Sequence, residues 1–225
     1  MQTQCVAQQN AHRRAQRAFL TLGETPHAIG DCAFDVAGNG RGAEAGIVAV
    51  IGLGGVGLSA LLGARYCRAS VIVAVDLSPA KLATARDLGA THTFNAGDAH
   101  VVEAIRDATH GGVEYAFEMA GAVKALELAY RITRRGGTTV TAGLSPPQAV
   151  FSVAHVNLVA EERTIKGSYL GSCVPSRDIP RYVEWFQAGK LPVDRLLSGS
   201  MALEDINGGF DALAVGSALR QTVRL

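Results

Sequence analysis

The chain has 225 residues, 48% of them hydrophobic, with 21 Lys+Arg against 20 Asp+Glu. That mixture can bury one large core, or one and a half, and it excludes general disorder. A formal net charge of +1 gives no reason to expect nucleic acid or an anionic membrane surface as a partner. Four scattered cysteines (Cys5, Cys32, Cys67, Cys173) form no C-x-x-C pair and fit a reducing, cytoplasmic setting better than a disulfide framework. The uncharged stretch Ala45–Ala64 is long enough to span a bilayer, but it holds six glycines, and Gly136–Ala160 contains Pro146 and Pro147. Neither reads as a membrane span. The first 22 residues lack acids and carry Arg13, Arg14 and Arg17; no apolar core comes after them as a secretory signal needs, though a transit peptide shares this composition.

Residues 1–45 are small and polar, without sustained periodicity, and read as an irregular, loosely folded segment with a possible helix over Ala11–Leu20. From Gly46 the pattern alternates. Ile47–Ile51 is a buried strand, and Val56–Tyr66 a helix with Val56, Ala60, Leu61 and Ala64 on one face. Val71–Val75 is a second strand. Ser78 as N-cap and Pro79 at the first helical position open a helix that runs to Leu88 and stops at Gly89. Next come strand His92–Phe94, helix Val101–Ala108, strand Val113–Phe117, helix Ala122–Thr133, strand Thr138–Ala142 and strand Thr164–Ser168. Strands alternating with single helices require parallel pairing, hence an α/β doubly wound parallel sheet over 46–170. Residues 171–225 add helices at Ile179–Gln187 and Leu203–Ala214 and a last strand at Gln221–Arg224.

Strand Ile47–Ile51 runs into Gly52-Leu53-Gly54-Gly55-Val56-Gly57, a G-x-G-x-x-G that opens a helix. Gly52 permits the tight turn, Gly54 lets backbone approach a pyrophosphate, and Gly57 allows close helix–sheet packing. The N–H groups of Gly55 and Val56 at the helix start, with the helix dipole behind them, are an anion site. Asp76 ends the second strand 19 residues after Gly57, where a carboxylate can accept the ribose hydroxyls of an adenosine. It would repel a 2′-phosphate, so NAD(H) is expected over NADP(H). A helix-capping or surface Asp before Ser78-Pro79 is the alternative.

Several stretches together resemble the coenzyme domain of zinc-type medium-chain alcohol dehydrogenases. They are Val48-Ala-Val-Ile-Gly-Leu-Gly-Gly-Val-Gly-Leu-Ser59, Val75-Asp-Leu-Ser-Pro-Ala-Lys-Leu82, Asp87-Leu-Gly-Ala-Thr91, Gly111-Gly-Val-Glu-Tyr-Ala-Phe-Glu-Met-Ala-Gly121, Gly167-Ser-Tyr-Leu-Gly171 and Ile206-Asn-Gly-Gly-Phe-Asp211. The likeness runs in register over about residues 46–225 and is nearest to glutathione-dependent formaldehyde dehydrogenases and bacterial alcohol dehydrogenases. It implies a Rossmann NAD-binding domain with a truncated remnant of a second domain. It also implies further cofactor contacts: Lys81 near the adenosine ribose, Leu77 in the adenine pocket, and Met119, Ala120 and Gly121 along the cleft. Ala142, Gly143 and Leu144, with Ser168 and Leu170, would face the nicotinamide half, and Arg220 the pyrophosphate.

The resemblance implies hydride transfer between a small alcohol or aldehyde and NAD(H), with zinc as Lewis acid, in a cytoplasmic homodimer joined through the last strand near Tyr169. In the family a catalytic domain carrying the zinc ligands precedes the coenzyme domain, and none of its ligands is recognisable in residues 1–45. Ile29-Gly-Asp-Cys-Ala33 is faintly similar to the family's Gly-Cys-Ala stretch, but the residues after Cys32 depart from it. No catalytic or metal residue is therefore expected, and Gln221–Leu225 would lack its usual sheet partner. A non-catalytic NAD-binding module, or a truncated interaction subunit, is the alternative to an active dehydrogenase.

Overall fold

Ala45–Ile51 forms strand β1, whose Val48, Ala49 and Val50 are wholly buried. A strand with nothing polar to expose must be covered on both faces, as the interior strands of a parallel sheet are. The computed structural model describes residues 45–169 and 174–224. The expected helix Ala11–Leu20, the rest of the segment before Ala45, and Leu170 lie outside the described residues. Those described fall into two compact units, dividing before Val174.

The first unit runs β1, α1 (Gly55–Tyr66), β2 (Ala69–Asp76), α2 (Pro79–Leu88), β3 (His92–Asn95), α3 (Val101–Ala108), β4 (Val113–Glu118), α4 (Val123–Ile132), β5 (Thr133–Thr141), α5 (His155–Ala160) and β6 (Thr164–Gly167). All six strands pair in parallel in the order β3-β2-β1-β4-β5-β6. This is the doubly wound α/β sheet expected, in the strand order of dinucleotide-binding folds. On one face Ala49, Ile51, Val73 and Val75 meet Val102 and Ile105 of α3 and Leu128 and Ile132 of α4 in a single apolar core.

Three details differ from the expectations. Helix α1 is buried from Gly57 through Ala64, on every side rather than along one stripe, because its residues are small or aliphatic throughout. Ser78 occupies the N-cap of α2, yet its hydroxyl makes no capping bond; its N–H instead donates to Asp76 Oδ1 at 2.9 Å. Strand β5 begins at Thr133, five residues earlier than expected. Its register shifts opposite Val113/Tyr115, over residues 134–137. There Arg134 pairs with Glu114, whose other oxygen accepts the Ile47 N–H at 3.1 Å.

The second unit holds α6 (Pro175–Gln187), a 3-10 turn at Val193–Leu196, β7 (Gly199–Ala202), a second 3-10 turn at Leu203–Asp205, α7 (Ile206–Ala214) and β8 (Gln221–Arg224). Tyr182, Leu191, Val193 and Leu196 are its large buried apolar residues, with Trp185 edge-on to Tyr182. Strand β8 does not lack a partner. It pairs in parallel with Gly199-Ser-Met-Ala202, a strand that the periodicity could not reveal because it has no β-branched residue. Among the described residues no helix is long and apolar enough to cross a membrane.

Candidate functional site

The chain leaves β1 for β2 and β3 on one side, then returns to β4 on the other. In an open parallel sheet such a reversal leaves a crevice at the carboxyl ends of the two central strands. Here the loops after β1 and β4 meet at that point. Gly52, at φ +92°, takes a left-handed turn that donates its N–H to Val75 O at 2.9 Å, and Met119 N–H reaches Ile51 O at 2.8 Å. A side chain on Gly52 would come within 2.8 Å of Ala120.

The glycines then divide the work unequally. Around Gly54 a Cβ would meet nothing within 4 Å, so the backbone there faces open space. Helix α1 starts immediately after it, with no side-chain cap and its first internal bond from Leu58 N–H to Gly54 O at 2.9 Å. The N–H groups of Gly55 and Val56 thus precede the helical ladder and suit an anion. Gly57 brings α1 close against the ends of β1 and β4: a Cβ would collide with the Gly52 carbonyl and approach Met119 Cβ at 3.5 Å.

Asp76, half-buried at the end of β2, holds two backbone donors. Oδ2 accepts Leu53 N–H at 2.7 Å and Oδ1 accepts Ser78 N–H at 2.9 Å. It therefore ties the glycine loop to β2 and forms the turn into α2. A carboxylate offers about four lone-pair sites, so two acceptors' worth of capacity is left toward the crevice. Leu77 beside it is 70% exposed, an aliphatic side chain standing in the open. Lys81 lies half-buried on α2.

Glu118 is the residue that sequence reasoning missed. It ends β4 with 1% of its surface exposed. Oε1 accepts the N–H groups of Ala120 and Gly121 at 2.8 and 2.7 Å, and Oε2 accepts the Thr141 hydroxyl at 2.6 Å. One carboxylate thereby ties the loop after β4 to the end of β5. The two loops also touch backbone to backbone, since a Cβ on Gly143 would overlap Gly121, and Ser145 Oγ donates to Gly121 O at 3.0 Å. Ala142 N–H completes the tie to Glu118 O at 3.0 Å. Ser168 lies just past β6 with its N–H on Thr141 O, and Leu144 is 79% exposed. The signal was an acid at the last position of a strand, the same pattern that marks Asp76, but here a second acid, Glu114, earlier in the strand weakens it.

A cavity of about 530 Å³ opens along the ends of β1 and β2. Of the expected residues, Gly52, Asp76, Leu77 and Ala120 line it; Asp98, Lys124 and Arg131 also border it and were not anticipated. Gly54 to Gly57, Lys81, Met119, Gly121, Ala142 to Leu144 and Ser168 lie outside its walls, around the same carboxyl edge. Arg220 immediately precedes β8 in the second unit.

The family profile described as zinc-binding dehydrogenase matches residues 55–188, more than half of the chain. The chain belongs to this family. It is 36% identical over 181 residues to alcohol dehydrogenase 1 of Zea mays, covering 79% of this chain and 48% of that protein. It is 35% identical over 189 residues to S-(hydroxymethyl)glutathione dehydrogenase of Paracoccus denitrificans, covering 80% and 50%. Among solved structures, benzyl alcohol dehydrogenase of Acinetobacter calcoaceticus superposes with a TM-score of 0.82 at 32% identity, over 91% of this chain and 56% of that one. The chain thus spans about half the length of the relatives it matches.

For a zinc-binding dehydrogenase, two groups need testing against the residues present. A dinucleotide suits the crevice, because Gly54 faces open space, the start of α1 is uncapped, and Asp76 keeps acceptor capacity. Zinc is different: among the described residues no three His, Cys, Asp or Glu side chains are grouped to hold a metal ion. Cys67, for its part, is no ready thiolate, since burial pushes its thiol up to about 11. The described residues therefore fit a dinucleotide and do not fit a zinc ion.

Proposed function

We propose that this protein is an NAD(H)-dependent oxidoreductase acting between a small alcohol and its aldehyde, and that residues 46–170 form its dinucleotide-binding domain, with 171–225 as a tail. The observation that carries the reading is the joining of Asp76 to the glycine loop at the reversal point of the sheet. In this reading the pyrophosphate lies over Gly54 and the N–H groups of Gly55 and Val56. Asp76 takes the adenosine ribose, with Lys81 and Leu77 beside it. Met119, Ala120 and Gly121 line the middle of the cleft, while Ala142, Gly143, Leu144 and Ser168 orient the nicotinamide. Bound NAD+ supplies a two-electron acceptor. This chain's residues bind and orient it, and the loops tied by Glu118 hold its walls in place.

A fluorescence titration of the purified chain with NADH, and with NADPH alongside, tests this. NADH is expected to saturate and NADPH to bind about tenfold more weakly, because the 2′-phosphate would face the Asp76 carboxylate. Asp76→Ala should weaken NADH by about tenfold or more, since a charged acceptor is lost, and should narrow the gap to NADPH. Equal affinity for the two dinucleotides would overturn the assignment of Asp76.

We also propose a cytoplasmic homodimer formed along β6. That strand is one of the two outer strands of the described sheet, and Val156, Val159 and Tyr169 around it are exposed. Light scattering should give the mass of two chains, and Ile165→Lys should give that of one. A monomeric unmodified chain would reject the dimer.

A further inference from the structure

We infer that the exposed apolar stripe of α7 is the docking site of residues 11–22 of the same chain. Leu203, Phe210 and Leu213 are exposed, Phe210 to 61%, and half-buried Ile206 lies between them. Their order along the chain, 203, 206, 210 and 213, is that of one face of a helix and the turn before it. The neighbouring face packs inward: Gly209 is buried, and a Cβ there would run into the Met201 side chain of β7. Large apolar side chains gathered on the solvent side form a surface that a soluble domain covers with a partner.

Charge selects the occupant. From Leu203 to Ala214 there are three acids, Glu204, Asp205 and Asp211, all exposed, and no Lys or Arg. A second copy of this face would set acids against acids. Residues 1–22 are the reverse, with no acid and with Arg13, Arg14 and Arg17. Those residues lie outside the described ones, and their chemistry is read from sequence. Ala11, Ala15, Ala18, Phe19 and Leu22 stand at the i, i+4, i+7, i+8 and i+11 positions of one apolar helical face. The three arginines fall off that face, and their long stems let the guanidinium groups reach past its edge toward the acids. The other exposed apolar group, around α5 and β6, mixes Arg135 and Lys166 with Glu161 and Glu162 and offers no such match. Reach is no obstacle: residues 23–44, at about 3.3 Å each, extend to about 70 Å, more than twice the diameter of a small domain.

The test is hydrogen exchange, read by mass spectrometry on the full chain at several concentrations. Residues 11–22 are expected to exchange about tenfold more slowly than the free peptide of that sequence, and to lose this protection in Phe210→Ser. The triple change Arg13→Glu, Arg14→Glu and Arg17→Glu should release residues 11–22 and 203–214 together. Adding Glu204→Lys, Asp205→Lys and Asp211→Lys to it should restore protection to both, which a variant that had merely unfolded would not do. Exchange of 11–22 at the free-peptide rate overturns the inference, as does protection that Phe210→Ser leaves unchanged. Protection that grows with protein concentration gives the contact to a second copy, and protection that requires vesicles of phosphatidylcholine and phosphatidylserine gives it to a membrane surface; either rejects docking within one chain. None of these outcomes depends on dinucleotide binding.

Discussion

Glu118→Ala is expected to lower the stability of the first unit by about 3 kcal/mol, while Glu118→Gln should stay within about 1 kcal/mol. Alanine leaves the N–H groups of Ala120 and Gly121 and the hydroxyl of Thr141 without their acceptor. Each buried polar group so stranded costs about 1–3 kcal/mol, less where water reaches it, and Ala120 is partly in solvent. Glutamine can keep all three contacts. Its carbonyl takes the place of Oε1, and its amide donates to the Thr141 oxygen, which accepts as readily as it donates. The loss in the alanine variant is a large part of the about 5–15 kcal/mol that holds a domain together. Because the two loops carry six of the proposed cofactor contacts, NADH affinity should fall in Glu118→Ala and persist in Glu118→Gln. Urea denaturation and NADH titration of both variants measure this. An alanine variant as stable as the unmodified chain would show that the three contacts are dispensable.

Gly57→Ala and Gly54→Ala should separate folding from binding within a single loop. At Gly57 the added methyl meets the Gly52 carbonyl, and Gly52 cannot yield. It is held by Val75 O behind and by Ala120 in front. Overpacking of this kind costs about 1–3 kcal/mol and shifts the backbone, so thermal stability and NADH binding should drop together. At Gly54 a methyl meets no protein atom, and the backbone at φ −77° is one that alanine adopts. Stability should therefore change by no more than about 0.5 kcal/mol, whereas NADH affinity should fall by about tenfold if a pyrophosphate lies against that backbone. Undiminished NADH binding by the Gly54 variant would remove the pyrophosphate from this position.

The parallel sheet was legible because its central strands β1 and β2 are short apolar runs bounded by Gly or Pro, and because single helices alternate with the strands. β3, β4 and β6 match the expected bounds to within one residue, and β1 and β2 to within two. The same punctuation located Gly52, Gly54 and Asp76, whose spacing is that of one strand–helix–strand passage. β7 was invisible, since Gly199-Ser-Met-Ala202 has no strand preference of its own and is extended only because β8 lies beside it. Helix α5 was missed for a related reason: His155–Ala160 is six residues long with no buried face to give it a period.

Glu118 marks the boundary between the two kinds of knowledge. Local order depends on contacts a few residues apart, and periodicity and turn chemistry encode it directly in the chain. The acceptor for Thr141 is 23 residues away from it, and the donors to Asp76 come from two different loops. The depth of the cavity depends on five alanines drawn from the loops after β3 and β4 and from α4. An alanine in a sequence is simply a small residue. Only when strands bring several of them around one space does their smallness become a volume, and an acid at a strand end becomes the tie between two loops.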